Sequence, residues 1–500
     1  VGANDGMLHG FDALTGTEVM AYVPNLILDN SLPYGNKLDS FTSPFYLHDY
    51  FVDLTPRLND VYIRASRLSD KSWLTTLVGG LGAGGKGVFA LNVTDPANQF
   101  SDEASAKTSV LWEFTEADDS YPLDLSGEPL GGAVGALVDA SGEPIKDMGY
   151  SLSLPVITMT NRKGIDGENQ WVAIFGNGTN STSGIATLFV LDMDKGIDGW
   201  QSGDFVKIST GYGVPLPGEQ LEGYPNALGS PAAIDQNLDG TVDLVYAGDR
   251  MGHLYRFDMR SENPDDWRAI RLFSATYAQG GTDVVQPILS QPLVVKHPEK
   301  EGFLITFGTG SFITEGDGSN QDIQSIYTIW DSLISSPRTA LADSKATRLV
   351  KQTLSNVVDD SVAPAQTRRV LSSEPVPYAS ESTSPGVYGW YIDLNMERAS
   401  TTRSGALNND ISGLAPPSPQ FPGEKAIRRF LYRDGAIVTT TVLPATNATS
   451  CFGSRPGALL ILDALTGGNP DEPIVDFNED GYVDESDLLE VEGTTYSAGW

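Results

Sequence analysis

Three features of this 500-residue sequence predict an all-β chain, folded as a seven-bladed modified β-propeller with long inter-strand insertions. One strand motif recurs seven times: an alternating apolar run that ends in Asp or Asn and usually follows a Gly-rich turn. Fifty-three Gly and 30 Pro supply many turns and break helices. Ser and Pro stand together just ahead of an apolar run in four of the units, in TSPFYL, SLPVIT, GSPAAI and SQPLVV.

The seven copies run in order along the chain. They are NDGMLHGFD ending at Asp12, GGKGVFALN at Asn92, IATLFVLD at Asp192, RMGHLYRFD at Asp258, QSIYTIWD at Asp331, GVYGWYID at Asp393 and GALLILD at Asp463. Their separations are 80, 100, 66, 73, 62 and 70 residues. Several are preceded by a second strand, as in WVAIFGNG, LVYAGD and FLITFGTG, so each unit supplies at least a hairpin. Radial repetition of about four short strands per unit leaves only short, protected sheet edges. A blade needs roughly 40 to 50 residues, so the surplus is assigned to insertions such as DDSYPLDLSGEPLGGAVGALVDASGEP and the stretch from Val357 to Ser384. Residues 1–475 are read as the propeller and 476–500 as a separate C-terminal segment.

Composition narrows the function. Forty per cent apolar residues can bury a large core, and 19% charged residues is too few for a disordered chain. The net charge of −33, with no basic run, would repel the phosphates of nucleic acid and anionic membranes. Cys451 is the single cysteine, which excludes an internal disulfide and multi-cysteine zinc sites. No apolar run approaches the roughly 18 residues of a spanning helix. The chain opens on Val1 inside a strand-like run, as expected of a piece of a longer protein.

Two acidic loops carry the chemistry. In IDQNLDGTVDLVYAGD, Asp235, Asn237, Asp239 and Asp243 occupy positions one, three, five and nine, with the Thr241 carbonyl at seven and Gly240 at the turn. Like charges packed into a short loop repel unless a cation sits among them, and this order of hard oxygen donors is that of a calcium loop. Position twelve is Tyr246 where an EF-hand has its glutamate, and a strand follows, so the reading is a short calcium loop. The second copy, DFNEDGYVDESDLLEVE, places Asp476, Asn478, Asp480, the Tyr482 carbonyl, Asp484 and Asp487 at positions one, three, five, seven, nine and twelve. With ESDLLEVE read as a short helix, this loop resembles those of dockerin-type modules. Calcium is the one cofactor expected, at two sites.

The opening VGANDGMLHGFDALTGTEVMAYVPN together with SPAAIDQNLDGTVDLVYAGDRMGHLYRFD resembles the PilC/PilY-type proteins of type IV pili, over nearly the whole chain. The resemblance implies a modified seven-bladed propeller and calcium held by Asp235, Asn237, Asp239, Thr241 and Asp243. It implies an exported bacterial protein at the cell surface or pilus tip, associated with the outer membrane. Its implied work is pilus biogenesis, calcium-dependent regulation of extension and retraction, twitching motility and surface adhesion. Its implied partners are minor pilins or the assembly machinery, and a host or abiotic surface. The family's N-terminal half, which carries much of the host contact, has no counterpart in these residues.

A rival reading comes from FDALTGTEVMAY and LDALTGGNP, which resemble the D-x-x-T-G strand ends of quinoprotein dehydrogenases, calcium-dependent propeller enzymes. Val19, Met20 and Ala21 stand where that family places Trp, and no vicinal cysteine pair exists. Turn geometry explains the motif better: Thr15 and Gly16 form a turn whose hydrogen bonds Asp12 accepts. No catalytic residue is therefore assigned. His9 and His253 sit at odd offsets before Asp12 and Asp258, on matching faces of their strands, which fits packing or hydrogen bonding. NGTNSTSG, residues 177–184, lacks the lysine of a phosphate loop and reads as a turn insertion.

Overall fold

The structure is a computed structural model that describes all of the chain except residues 29–36, 120–145, 202, 214–223, 280, 334–344, 360–365, 380–385, 395–400, 403–421, 445–456, 477, 479, 492–493 and 497–500. The chain divides into two compact units, residues 1–251 with 255–271, and residues 252–254 with 272–500. Strands dominate both, and no helix among the described residues is longer than the six-residue 3₁₀ helix Lys37–Thr42. None is long and apolar enough to cross a membrane.

All seven motif copies are strands: Leu8–Phe11, Gly87–Asn92, Thr187–Asp192, His253–Asp258, Ser325–Asp331, Gly389–Asp393 and Leu459–Asp463. The first pairs with Glu18–Tyr22 in a two-stranded hairpin. The second lies third in a meander of Arg57–Arg64, Lys71–Gly80, Gly87–Asn92 and Val110–Thr115. The third is flanked by Asn169–Gly176 and Phe205–Ser209, in a sheet that continues through Val156–Lys163. The fourth stands third in the order Ala232–Ile234, Leu244–Gly248, His253–Asp258, Arg268–Ser274.

The fifth and sixth copies depart from one motif per sheet. Gly389–Asp393 pairs directly with Ser325–Asp331, with Ile326 opposite Ile392, so both belong to one sheet with Phe303–Gly308 and Leu293–Lys296. Both strands are buried along their whole length. An apolar run buried on both faces has the same look in sequence whether it sits centrally or beside another copy. Three of the four Ser-Pro starts lead into strands, whereas TSPFYL follows the 3₁₀ turn Lys37–Thr42 without forming one. Between Val357 and Ser384, the strands Leu354–Asp359 and Gln366–Leu371 form a hairpin where an irregular insertion was expected. The other long insertion expected, residues 118–144, lies almost wholly outside the described residues.

Period-two alternation shows why the sheets of the first unit pack as they do. Along Asn169–Gly176, Ala173 and Phe175 join one core cluster with Val61, Val78 and Val88 of the preceding sheet. Val172 and Ile174 join another with Val245, Tyr255 and Phe257 of the following sheet. Phe189 and Leu191 divide from Leu188 and Val190 in the same way. Successive side chains of a strand point to opposite faces, so a strand sandwiched between two sheets needs apolar residues at every position, and TLFV supplies them. In the second unit, Ile326, Trp390 and Ile392 pack with Ile437, Leu460 and Leu462 of the last three-stranded sheet.

The D-x-x-T-G turns behave as the sequence indicates. Asp12 Oδ1 accepts the Leu14 N–H at 3.1 Å, the Thr15 N–H at 2.8 Å and the Thr15 hydroxyl at 2.8 Å. Asp463 Oδ1 does the same for Leu465, Thr466 and the Thr466 hydroxyl, at 3.1, 2.7 and 2.8 Å.

Candidate metal centres

Residues 235–243 connect two antiparallel strands, Ala232–Ile234 and Leu244–Gly248, in which Ile234 faces Leu244. The Asp243 N–H donates to the Ile234 carbonyl at 2.9 Å and closes the loop at its neck. Inside, Asp235 Oδ1 accepts from the Leu238 N–H at 2.6 Å and Oδ2 from the Gly240 N–H at 2.7 Å. Asn237 Oδ1 accepts from the Asp239 N–H at 2.9 Å, and Asp239 Oδ1 from the Thr241 N–H at 2.8 Å. Each side-chain oxygen thus captures an N–H two to five residues ahead, which winds the chain tightly. Leu238 and Gly240 take the positive φ values, +64° and +92°, that this winding requires. Leu238 has no glycine's freedom there, and its side chain is 87% exposed.

Asp243 is the buried member of the set, at 4% exposure. Its Oδ2 accepts the Gln236 N–H at 2.8 Å and the Asn237 N–H at 3.3 Å. The loop is also tied to the neighbouring sheet: Thr241–Val242 forms a two-residue parallel pairing with Met159 and Thr160. From that strand the Asn161 amide donates to the Val242 carbonyl and to Asp243 Oδ1, both at 3.3 Å. The Thr241 hydroxyl lies 2.5 Å from Asp239 Oδ1 and 3.0 Å from Asn161 Oδ1. Hydrogen bonds from the Thr241 hydroxyl, then its N–H, then the Asn237 amide hold the Asp239 carboxyl below the usual carboxylate range. Asn161 escaped the sequence reading because it lies 80 residues from Thr241, and only the parallel pairing brings the two together.

The second loop repeats four backbone-to-side-chain hydrogen bonds of the first. Asp480 N–H reaches Asp476 Oδ1 at 3.2 Å and Asn478 Oδ1 at 2.9 Å, as Asp239 N–H reaches Asp235 at 3.2 Å and Asn237 at 2.9 Å. Gly481 N–H donates to Asp476 Oδ2 at 2.8 Å, and Tyr482 N–H to Asp480 Oδ1 at 2.9 Å. Gly481 has φ +91°, matching Gly240. Asp487 is 4% exposed and accepts the N–H groups of Asn478 and Asp484, at 3.1 and 3.0 Å. Asp484 caps the 3₁₀ turn Glu485–Asp487 through the Ser486 N–H at 2.8 Å, and hydrogen bonds from Ser486 hold its carboxyl low. The helix expected over ESDLLEVE is confined to that turn. Leu489–Val491 continues as a strand paired with Thr494–Tyr496, because the run after Asp487 is too short to propagate a helix and alternates instead.

All the side-chain donors at both loops are oxygens, the chemistry a hard divalent cation takes. Among the described residues no three acidic, imidazole or thiol side chains are gathered closely enough to enclose an ion by themselves. The carboxylates face backbone N–H groups. The donor set therefore fits calcium in kind, with Asn237 and Asn478 and backbone carbonyls needed to complete any shell.

A family model described as the PilY1 beta-propeller domain matches residues 1–366, which include the first loop. A type IV pilus biogenesis factor PilY1 homolog of Xylella fastidiosa is 31% identical over 480 residues, covering 94% of this chain and 26% of that protein. The type IV pilus biogenesis factor PilY1 of Pseudomonas aeruginosa PAO1 is 28% identical over 512 residues, covering 97% and 36%. The chain thus spans about a quarter to a third of the length of these relatives. The crystal structure of the Pseudomonas aeruginosa PilY1 C-terminal domain matches all of this chain and 85% of that one, with a TM-score of 0.67 and 27% identity.

Proposed function

Because the chain belongs to the PilY1 β-propeller family, we propose that it is the calcium-responsive propeller of a type IV pilus biogenesis protein exposed at the cell surface or pilus tip. There it regulates pilus extension and retraction and takes part in surface attachment. The observation that carries this reading is the tie between the first loop and its neighbouring strand: Thr241 and Val242 pair with Met159 and Thr160, and Asn161 grips Asp243. Calcium among Asp235, Asn237, Asp239 and Asp243 would cancel the loop's self-repulsion and fix this pairing. Its loss would free the pairing, a two-state element that ion binding can bias. The second loop, Asp476 to Asp487, holds a second ion in a C-terminal segment that follows a seven-bladed propeller over residues 1–475.

The partners that fit are minor pilins or the assembly machinery, recognising the ordered loop. The relatives are named as biogenesis factors, and the D-x-x-T-G turns are occupied by their own hydrogen bonds, so the quinoprotein dehydrogenase reading is set aside. The test is twitching motility and surface piliation in cells whose native copy carries Asp235→Ala or, separately, Asp239→Lys to mimic the bound charge. Loss in the first strain and retention in the second supports regulation by the ion. Normal behaviour in both refutes it.

A further inference from the structure

A cavity of about 310 Å³ in the first unit lies apart from both loops. Tyr62 contributes to its wall from one sheet, and Gln170, Trp171 and Asp192 from the next. Tyr62 faces Trp73 directly across its antiparallel ladder, with ring centroids 5.7 Å apart, and Trp73 meets Trp171 edge-on at 6.0 Å. Trp73 is nevertheless 63% exposed. A large ring left in water beside a cavity, when such rings dominate burial wherever they can be covered, is a platform for an apolar face.

The charges around the cavity are largely spent on one another. Lys71 bridges Asp166 at 2.5 Å and Glu168 at 3.3 Å, while Arg64 holds Asp194 at 3.1 Å. Asp192 remains, 4% exposed, with its carboxyl pushed up to about 6 by burial. Its Oδ1 accepts the N–H groups of Asp194 and Lys195 at 3.0 and 3.2 Å. Gln170 Oε1 is buried without a hydrogen-bond partner among the described residues. An unsatisfied buried acceptor costs on the order of 1–3 kcal/mol, and rotation of the amide would turn either of its ends toward an incoming hydroxyl.

We propose that this cavity binds a neutral saccharide, whose C–H face stacks on the Tyr62 and Trp171 wall and extends onto the exposed Trp73 ring that touches both, while Gln170 and Asp192 hydrogen-bond its hydroxyls. An uncharged ligand is favoured because Lys71 and Arg64 pair with three of the lining acids, Asp166, Glu168 and Asp194. Size follows from the volume, near the lower end of small-molecule sites, which suits one or two sugar rings. A cationic side chain would find the same aromatic wall beside the acids Asp166, Glu168, Asp192 and Asp194, so it is the rival ligand that the test must separate from a sugar. The site does not depend on calcium or on the pilus assignment.

The test is titration of the 500-residue chain, at constant calcium, with methyl α-D-mannoside, methyl β-D-galactoside, N-acetylglucosamine and N,N′-diacetylchitobiose, read by tryptophan fluorescence and saturation-transfer NMR. At least one sugar should bind saturably with a Kd at or below about 10 mM, weakened roughly tenfold in Trp73→Ala and in Gln170→Ala, because stacking and a hydrogen bond are each lost. Trp73→Ala should melt as the parent does, since the ring is exposed, and Asp235→Ala should still bind sugar. No saturable binding by any of the sugars, binding undiminished in Trp73→Ala, or preference for N-acetyl-lysine amide over every sugar would each overturn the proposal.

Discussion

Asp243 and Asp487 do the same work from different positions: each is a buried carboxylate that accepts the N–H of the third residue in its loop, Asn237 at 3.3 Å and Asn478 at 3.1 Å. Asp243 stands ninth in its loop and Asp487 twelfth in its own. The first loop is therefore a shortened version of the second, closed three residues earlier because a strand must begin at Leu244.

Calorimetry on protein stripped with EDTA should show two calcium sites, with dissociation constants inside the range of about 10⁻⁷ to 10⁻³ M that such loops span. Asp235→Ala should abolish one and Asp476→Ala the other. The second loop, with four carboxylates against three, should be the tighter. Two sites surviving either substitution would count against both assignments.

Asn161→Ala should weaken the first calcium site and leave the second unchanged, because Asn161 reaches only the first loop. Asp243→Ala should cost more, about 1–3 kcal/mol of stability, since it strands two N–H groups in a half-buried neck. Chemical denaturation of both variants in calcium-free buffer separates these effects.

Gly16→Ala and Gly467→Ala, the same change in the same turn, should differ. Both glycines have positive φ, +70° and +73°, so each substitution carries a backbone cost of about 1–2 kcal/mol. A Cβ on Gly16 meets nothing within 4 Å, whereas one on Gly467 falls 2.3 Å from the Trp390 ring. Gly467→Ala should lose a further ~1–3 kcal/mol from overpacking, read as a lower denaturation midpoint. Equal midpoints would contradict the packing described.

His9 lies between Glu18, 2.5 Å from Nδ1, and Asp5, 2.8 Å from Nε2. The hydrogen bond to Glu18, then that to Asp5, raises its pKa above 6.5. A raised folded-state pKa gives stability that is fully present below about 6.5, the unfolded value, and is lost as pH rises through the folded value. Thermal melts from pH 6 upward should decline accordingly, and His9→Gln should flatten that decline. An NMR titration placing His9 at or below 6.5 would remove its basis.

Local chemistry alone determined the seven motif strands, the D-x-x-T-G turns and the donor order of both loops. Alternation in TLFVLD, the left-handed glycine in DALTG and the spacing of Asp235, Asn237 and Asp239 act over a few residues, where backbone sterics and side-chain-to-backbone hydrogen bonds decide the outcome. Tertiary structure decided what sequence distance hides. It put the sixth motif copy beside the fifth, since a doubly buried strand carries no mark of its partner. It brought Asn161 to Thr241 and Trp73 to Trp171, and pressed Trp390 against Gly467 while leaving Gly16 open. These contacts join residues far apart along the chain, and packing complementarity between whole sheets, rather than the preference of any residue for its neighbours, selects them.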